Sequence, residues 1–418
     1  MRSTRPDILL LLLAAAASPA VAAEYEVGGH VKPRVTADWY PADSVFRQAI
    51  GAGALDAQAE LRVNIEGRDG PWSFDAAWQL FAAVGDRNAL SVTPTISPFA
   101  GGRPDDARRL MDLTDVVEDE GKRLALHRLD RLALGFASED LVIRAGRQAI
   151  TWGNGLAFTP MDIVNPFDPT AIDTEYKAGD DMLYGQYLFP NGHDLQAAVV
   201  FRRDPATGDI DSRERTSALK YHAVFERAEL DLLLAEHYDR TTIGIGGNLN
   251  VGGAVLRGDV VVADTAGGTA TEVVASVSYS WVWGGRNVSG LVEYFHSDYG
   301  LPGGRYDAAA VVADPLLGSR LQRAETFTLG QNYMAAGATV ELTPLLLVTP
   351  NLFWNLDDDS ALLQLVSRFS VSDNAEFLTA LNVPLGPSGS EFGGIDAGIP
   401  GLYVAVDASL FAQFAYYF

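Results

Sequence analysis

The chain has 418 residues with 31 Lys and Arg against 54 Asp and Glu, a net charge of −23, which argues against nucleic-acid binding because that function requires a basic surface. It has no cysteine, which excludes disulfide frameworks, thiol catalysis and cysteine-based metal sites. Although 48% of the residues are hydrophobic, no run after residue 23 approaches the ~18 apolar residues that a membrane-spanning helix needs.

The first residues predict a secretory signal peptide over residues 1–23. A positive start at Arg2 and Arg5 precedes an apolar run over residues 8–17, and short side chains follow at the cleavage spacing. An N-terminal anchor helix is the alternative interpretation. We therefore expect the mature protein to begin near residue 23 or 24 and to form one domain over residues 24–418.

Alternation with a period of two is the main structural signal in the chain. Six apolar residues from Leu55 to Ile65 alternate with six polar residues from Asp56 to Glu66, which predicts a strand with one face in water. The same alternation recurs over residues 273–283. A membrane protein without apolar helices has to satisfy its backbone hydrogen bonds in a closed barrel, so the pattern favours that architecture.

Counting these segments predicts an all-β fold, a transmembrane antiparallel β-barrel of about 18 strands, with 16 also possible. The predicted strands cover residues 30–40, 53–66, 71–84, 124–137, 140–151, 181–190, 193–203, 214–226, 229–239, 241–250, 253–264, 270–283, 286–297, 325–341, 345–356, 360–371, 375–385 and 401–418. Every second connection is short, as in the periplasmic turns of outer-membrane barrels. The long connections, which would be extracellular or folded inward, cover about 85–122, 151–180, 203–213, 298–324 and 386–400.

The last predicted strand carries an apolar residue at every second position from Leu402 to Phe418. A terminal aromatic residue on such a strand resembles the C-terminal signal that the barrel-assembly machinery recognises in outer-membrane proteins. Phe414, Tyr416 and Phe418 are therefore the predicted assembly signal. An ordinary amphipathic terminal strand is the alternative.

The segment Ile143–Lys177 predicts a stiff loop that narrows the lumen. It has glycines at 146, 153 and 155, which permit tight turns, and prolines at 160, 166 and 169, which limit the freedom of the backbone. The predicted constriction or solute-contact residues in it are Arg144, Arg147, Trp152, Asp162 and Asp168. A structural clasp is an equal alternative, in which Arg147 binds loop carbonyls and Trp152 belongs to the aromatic girdle.

Part of this segment resembles a known family. Gly146-Arg147-Gln148 followed by Trp152-Gly153 is similar to a signature of porin-like outer-membrane barrels of proteobacteria. The Gly-Arg-Gln portion also resembles the alginate-export barrels, which are eighteen-stranded and line their pore with many arginines. The resemblance implies a porin-like barrel in the outer membrane. The strong acidity of this chain does not match the arginine-lined pore of the alginate exporters.

Some polar residues occupy strand positions that the alternation places on the inner face. The further pore candidates among them are Glu60, Arg62, Arg257, Asp259 and Arg368. Rings of such charges can set the selectivity of a pore. Alternatively, they pair across the lumen and fill it.

The sequence thus predicts a porin-like channel in the outer membrane of a Gram-negative cell, for passive passage of a small solute. A dedicated exporter, or the barrel partner of an inner-membrane transport system, is one alternative, and an outer-membrane lipid hydrolase is another. No enzyme motif, cofactor motif or metal-ligand spacing is present, so we expect no enzyme and no cofactor. The expected partners are outer-membrane lipid and lipopolysaccharide, the barrel-assembly machinery and an unidentified solute, with no nucleic acid.

Overall fold

Eighteen antiparallel strands close into a barrel in the structure, a computed structural model that describes residues 24–89 and 104–418. Nineteen strands form one sheet, and one of them, β4, lies beside the barrel wall proper. The first strand pairs with the last, with His30 opposite Tyr417, so that the sheet has no open edge there. The predicted fold class and the count of eighteen are confirmed, whereas the predicted signal peptide lies outside the described residues.

The first half of the wall contains strands of 7 to 17 residues. Their bounds are β1 Glu24–Trp39, β2 Gly53–Asp69, β3 Trp72–Gly85, β4 Thr114–Glu120, β5 Arg123–Ala137, β6 Leu141–Gln148, β7 Asp180–Leu188, β8 Asp194–Val200 and β9 Thr216–Val224. Strand β3 pairs directly with β5, and β4 pairs with the part of β5 that β6 leaves free.

The second half continues round to β1 and carries two of the three α-helices of the described residues. Its strands are β10 Ala228–His237, β11 Arg240–Val251, β12 Ala254–Thr265, β13 Gly268–Trp283, β14 Arg286–Ser297, β15 Asn332–Thr343, β16 Leu346–Asn355, β17 Ser360–Ser372, β18 Ala375–Leu385 and β21 Ala408–Tyr417. The short strands β19 Ile395–Asp396 and β20 Tyr403–Val404 form a separate two-stranded sheet. The helices are α1 Val45–Ile50, α2 Ala308–Ala313 and α3 Leu317–Gln322, and no helix in the described ranges is long and apolar enough to cross a membrane.

The two faces of the wall differ as the alternation requires. On β10, Leu232 and Leu234 are exposed on the outside, whereas Asp231 and Leu233 are buried on the inside. The outward side chains of β21 are Leu410, Phe414 and Tyr416, and its inward Gln413 is buried. Apolar residues therefore cover the outside of the barrel, and polar residues line the inside along with the loops that fill it.

Connection lengths alternate between the two ends of the barrel. The turns after β2, β5, β7, β9, β11, β13, β15 and β17 contain five residues or fewer, and the long connections lie at the opposite end. Long connections at that end include residues 149–179 between β6 and β7, 298–331 between β14 and β15, and 386–407 between β18 and β21. The predicted pattern of short turns and long loops is confirmed, except that residues 90–103 of the predicted 85–122 loop lie outside the described part of the chain.

The strand predicted from residue 30 begins earlier, at Glu24, which pairs with Arg68 on β2, and two other strands begin later than predicted. The strand predicted from 325 begins at Asn332, because Glu325 belongs to a loop cluster of ion pairs with His237 and Arg320. The strand predicted from 401 begins at Ala408, because the preceding alternating residues serve other contacts: Tyr403–Val404 pair with Ile395–Asp396. In both cases a loop that folds over the lumen uses residues that fit a strand pattern.

Candidate functional site

The loop of residues 149–179, called the inner loop below, runs round the inside of the barrel. Near its start, the Asn154 backbone N–H donates to Asp259 on β12 at 2.8 Å. Farther along, Gln364 on β17 donates to the carbonyl of Thr170, and Lys32 on β1 lies 2.8 Å from Asp173. Strands on opposite sides of the wall thus hold the loop inside the lumen, where it narrows the bore.

The apolar side of the inner loop packs against the inner wall of β7–β12. Trp152 and Met161 are buried against Met182, Val200 and Leu233. The indole N–H of Trp152 donates to Gln196 on β8 at 2.7 Å, which satisfies the one polar atom of that side chain. Trp152 therefore lies inside the barrel and holds the loop to the wall, and it does not lie in an outer aromatic girdle.

An ion pair closes the base of the inner loop. The Lys177 ammonium donates at 2.6 Å to both carboxylate oxygens of Asp162, and at 2.6 Å to the carbonyl of Ile150. Burial raises the pKa of Asp162 to about 6 in spite of Lys177, and burial also lowers the pKa of Lys177. The pair is thus a desolvated clasp, and its strength depends on both groups keeping their charge.

Asp168 lies on the part of the inner loop that leads to β17. One of its oxygens accepts hydrogen bonds from the backbone N–H and the hydroxyl of Thr170, both at 2.8 Å. Burial raises the pKa of this carboxyl group to about 6. Asp162 pairs with Lys177, and Asp173 pairs with Lys32, but no cation of the described residues pairs with Asp168. It is therefore the loop carboxylate whose charge is not compensated.

Arg147 belongs to the rim of the barrel. Its guanidinium is fully buried between Asp181 on β7 and Asp106, with N–O distances of 2.9 and 3.0 Å, and it also donates to the carbonyls of Leu129 and Met111. These are the contacts of a clasp that fastens residues 104–113 to the ends of the strands. Buried in this way, Arg147 does not line the open bore.

Arg144 and the candidates on β2 face the lumen on the side of β1–β7. The Arg144 guanidinium lies 4.9 Å from the Tyr184 ring centroid. Arg62 is buried, pairs with Asp130 at 2.9 Å and lies 4.1 Å from the centroid of Tyr176 on the inner loop. Glu60 accepts a hydrogen bond from His30 at 3.1 Å and remains partly exposed. Each of these three side chains therefore has a partner inside the lumen.

The three candidates on the later strands differ in exposure. Asp259 is buried, and both of its oxygens hold Asn154 of the inner loop. Arg257 donates to Ser278 at 2.7 Å and is partly exposed. Arg368, 3.5 Å from Glu376, has a half-exposed side chain toward the lumen. Arg257 and Arg368 are therefore open to solute, whereas Asp259 is a fastening for the loop.

Several residues that hold the site have no distinctive sequence pattern. Glu293 accepts three backbone N–H groups of the inner loop, and Lys32 and Lys177 hold its second half. Glu391, in the 386–407 loop, accepts hydrogen bonds from Tyr333 and Asn355, and burial raises its pKa to about 8. The available signal for Glu293 and Lys32 was an inward position on a strand, and for Lys177 it was a lysine within the predicted stiff loop; Glu391, in a loop, had neither signal.

A cleft separates the inner loop from the 298–331 loop. Phe158, Pro166 and Phe167 line it on the inner-loop side, and Arg320 and Phe327 line it on the other side. Within the ranges the structure describes, no group of three or more His, Asp or Glu side chains is placed to hold a metal ion.

The predicted assembly residues lie on the outside of the last strand. Phe414, Tyr416 and Phe418 are all exposed on the apolar outer face. The backbone of Phe418 exchanges two hydrogen bonds with Gly29 on β1, at 3.0 and 3.1 Å. The end of the chain thus completes the seam between β21 and β1.

The barrel resembles solved structures of porins along nearly its whole length. The BenF-like porin from Pseudomonas fluorescens Pf-5 is 10% identical, with a TM-score of 0.53, over 95% of this chain and 98% of that chain. OccK5 (OpdH) of Pseudomonas aeruginosa, 8% identical, and OccAB4 of Acinetobacter baumannii, 10% identical, each reach a TM-score of 0.54 over 94% of this chain and 98% of theirs.

The chain has a porin fold. At identities this low the porin fold is what the likeness establishes. No protein-family model matches the sequence, and no curated protein matches it either.

Proposed function

We propose that this protein is an outer-membrane channel through which a small solute passes passively, with the inner loop as its constriction. The observation that carries the proposal is a closed eighteen-strand wall, apolar outside and polar inside, whose inner loop is held to strands on opposite sides. A wall of this size is too wide for its own side chains to fill, so the loop determines how much space remains.

The outer face supports the location. Large apolar side chains such as Leu234, Ile243 and Trp281 are exposed on the outside, where water would disfavour them and lipid would not. We propose outer-membrane lipid and lipopolysaccharide as the surroundings of this face. The outward aromatic residues that end at Phe418 fit recognition by the barrel-assembly machinery.

The structural neighbours support the same conclusion. One of the similar solved structures named above is described as a BenF-like porin, and the shared barrel wall supports our proposal of passive passage for this chain. We propose no catalytic role. The similarity of Gly146–Gln148 to alginate-export barrels remains a prediction, and we propose that Arg147 in this signature fastens the rim instead of contacting a solute.

Among the pore candidates we propose a division of roles. Trp152, Asp162 and Asp259 hold the inner loop in place. Asp168 supplies an uncompensated charge to the constriction, since its partners are the neutral groups of Thr170. The remaining candidates with open access, which include Glu60, Arg257 and Arg368, line the bore on either side of the loop.

Single-channel recording in planar bilayers tests the proposal. We expect discrete conductance steps from the purified protein, and a protein that inserts but never conducts would refute the channel. In a salt gradient at pH 7.5, Asp168→Asn should shift the reversal potential toward weaker cation preference. The same change at Asp140, in a short turn outside the lumen, is the matched control and should have no such effect.

The pH dependence of this selectivity has a definite sign. The pKa of Asp168 is raised to about 6, so the carboxylate is charged at pH 7.5 and mostly protonated at pH 5. Cation preference of the wild type should fall over this range, and the fall should be at most half as large in Asp168→Asn. An Asp168→Asn channel with wild-type selectivity at pH 7.5 would show that this carboxylate lies away from the solute path.

A further inference from the structure

Glu293 belongs to the wall strand β14, far along the chain from the inner loop that it contacts. It is fully buried, and its carboxylate accepts hydrogen bonds from three consecutive backbone N–H groups. The distances are 2.8 Å to Leu156, 3.0 Å to Ala157 and 2.7 Å to Phe158. We infer that Glu293 is the positioning residue that sets where the inner loop stands in the lumen, and therefore how wide the bore is.

The chemistry of the contact explains why an acidic residue is needed. An ionised carboxylate only accepts hydrogen bonds, and consecutive backbone N–H groups that converge form a nest for an anion. Hydrogen bonds of this kind are shorter and stronger than those between neutral groups. A carboxamide has one accepting oxygen and would turn its own N–H groups toward the donors of the loop, so Gln cannot replace Glu293 here.

The local shape of the loop is built for this contact. Gly155 stands where a side chain would place its Cβ 1.8 Å from the carbonyl oxygen of Phe158, so the turn that directs the three N–H groups toward Glu293 requires glycine. Phe158 then stacks on Phe295, two residues after Glu293 on β14, with ring centroids 4.6 Å apart. Strand β14 thus holds the inner loop through the carboxylate of Glu293 and the ring of Phe295, which occupy adjacent inward positions.

A neighbouring carboxylate limits how much of the inner loop depends on Glu293. Asp259 holds the backbone and the side chain of Asn154, so the start of the loop stays attached when Glu293 is changed. Loss of Glu293 should therefore release residues 156–158 locally and leave the barrel intact. This makes the inference testable apart from folding.

Thiol labelling gives a direct measurement, because the chain has no cysteine of its own. Ala157→Cys places a single thiol on the partly buried anchored stretch, and we expect a water-soluble thiol reagent to label it at least ten-fold faster when Glu293→Gln is added. Leu156→Cys, at an exposed position, serves as the reference and should be labelled at similar rates in both backgrounds.

Glu229→Gln is the matched control for the loss of charge. Glu229 also faces the lumen, but its carboxylate accepts a hydrogen bond from Asn248 on the neighbouring strand. Glu229→Gln should therefore leave the labelling rate of Ala157→Cys unchanged. A Glu293→Gln rate within two-fold of the wild-type background, in a protein that keeps the heat-modifiable mobility of a folded barrel, would overturn the inference.

A conservative variant separates positioning from general damage. Glu293→Asp keeps an anionic acceptor but withdraws it by one methylene, so we expect a labelling rate between those of the wild type and Glu293→Gln. A Glu293→Asp rate as fast as that of Glu293→Gln would overturn the role assigned to the charge. Should Glu293→Gln fail to fold, Glu293→Asp decides alone, and wild-type labelling in it would overturn the inference.

The inference about bore width rests on the proposed channel function, and the two can fail separately. In bilayers we expect Glu293→Gln to raise the open-channel current noise at least two-fold, with no change in Glu229→Gln. A protein that never conducts would refute the channel, whereas the labelling result would still decide whether Glu293 positions the loop.

Discussion

Replacing Lys177 by Met should loosen the inner loop, because the change removes the cation that the buried Asp162 faces. At pH 7.5 the raised pKa of Asp162, about 6 against an ordinary 3.8, costs the docked loop about 3 kcal/mol. Without Lys177 this carboxyl group would take up a proton instead, at a cost of about 5 kcal/mol at that pH. The hydrogen bond from Lys177 to Ile150 adds about 1 kcal/mol, so the variant should lose at most about 3 kcal/mol, because removing Lys177 also removes the cost of burying its charge.

The free energy that Lys177→Met removes from the docked loop should become smaller as the pH falls. A carboxyl group with a raised pKa weakens the docked state above that pKa, and the effect disappears as the pH falls toward 3.8. At pH 5, Asp162 is mostly protonated with or without Lys177. The difference should then shrink by about 2 kcal/mol, which leaves at most the ~1 kcal/mol of the hydrogen bond to Ile150.

Hydrogen exchange of the loop amides in vesicles measures this opening free energy. After correction for intrinsic rates, exchange over residues 150–164 should be up to roughly 100-fold faster in Lys177→Met at pH 7.5, and up to about five-fold faster at pH 5. The double variant Asp162→Asn with Lys177→Met leaves no buried charge and should exchange more slowly than Lys177→Met alone. Equal acceleration at both pH values, or a double variant that opens faster than the single one, would refute the reasoning.

Three further changes have definite expected outcomes. Ala324 has a positive φ of 54°, so Ala324→Gly should stabilise the barrel by about 1 kcal/mol, and a lower midpoint of unfolding would contradict this. Gly155→Ala should speed the labelling of Ala157→Cys as Glu293→Gln does, because the new Cβ meets the Phe158 carbonyl; an unchanged rate counts against the tight turn. Deleting Phe418 should lower the amount of folded barrel in cell membranes several-fold without changing the conductance of the molecules that do fold.

The wall could be predicted from the sequence because its signal is local. Between Leu55 and Ile65 the polarity of each residue indicates which face of the strand it occupies, since lipid or protein lies on one side and water on the other. The same reasoning failed at residues 325–331 and 401–407, where loop residues that pack over the lumen imitate a strand pattern.

The constriction could be predicted only in outline. Glycine and proline spacing marked residues 143–177 as stiff, but the loop's position depends on partners such as Glu293 and Lys32, which lie far away in the sequence. Before the strand register is known, Glu293 is one inward carboxylate among many. Arg147 was a pore candidate for the same reason, since its burial by residues 104–113 is a long-range event.

The seam between β1 and β21 has a consequence for how the molecule is made. His30 and Tyr417 face each other at this seam, but they lie on the first and the last strand of the barrel. One is therefore synthesised early and the other late. The ring therefore cannot shut until the last strand has been made, and until then the partly formed sheet keeps two unpaired edges. We expect a cell that makes this protein to need a holding chaperone that shields those edges until the final strand arrives.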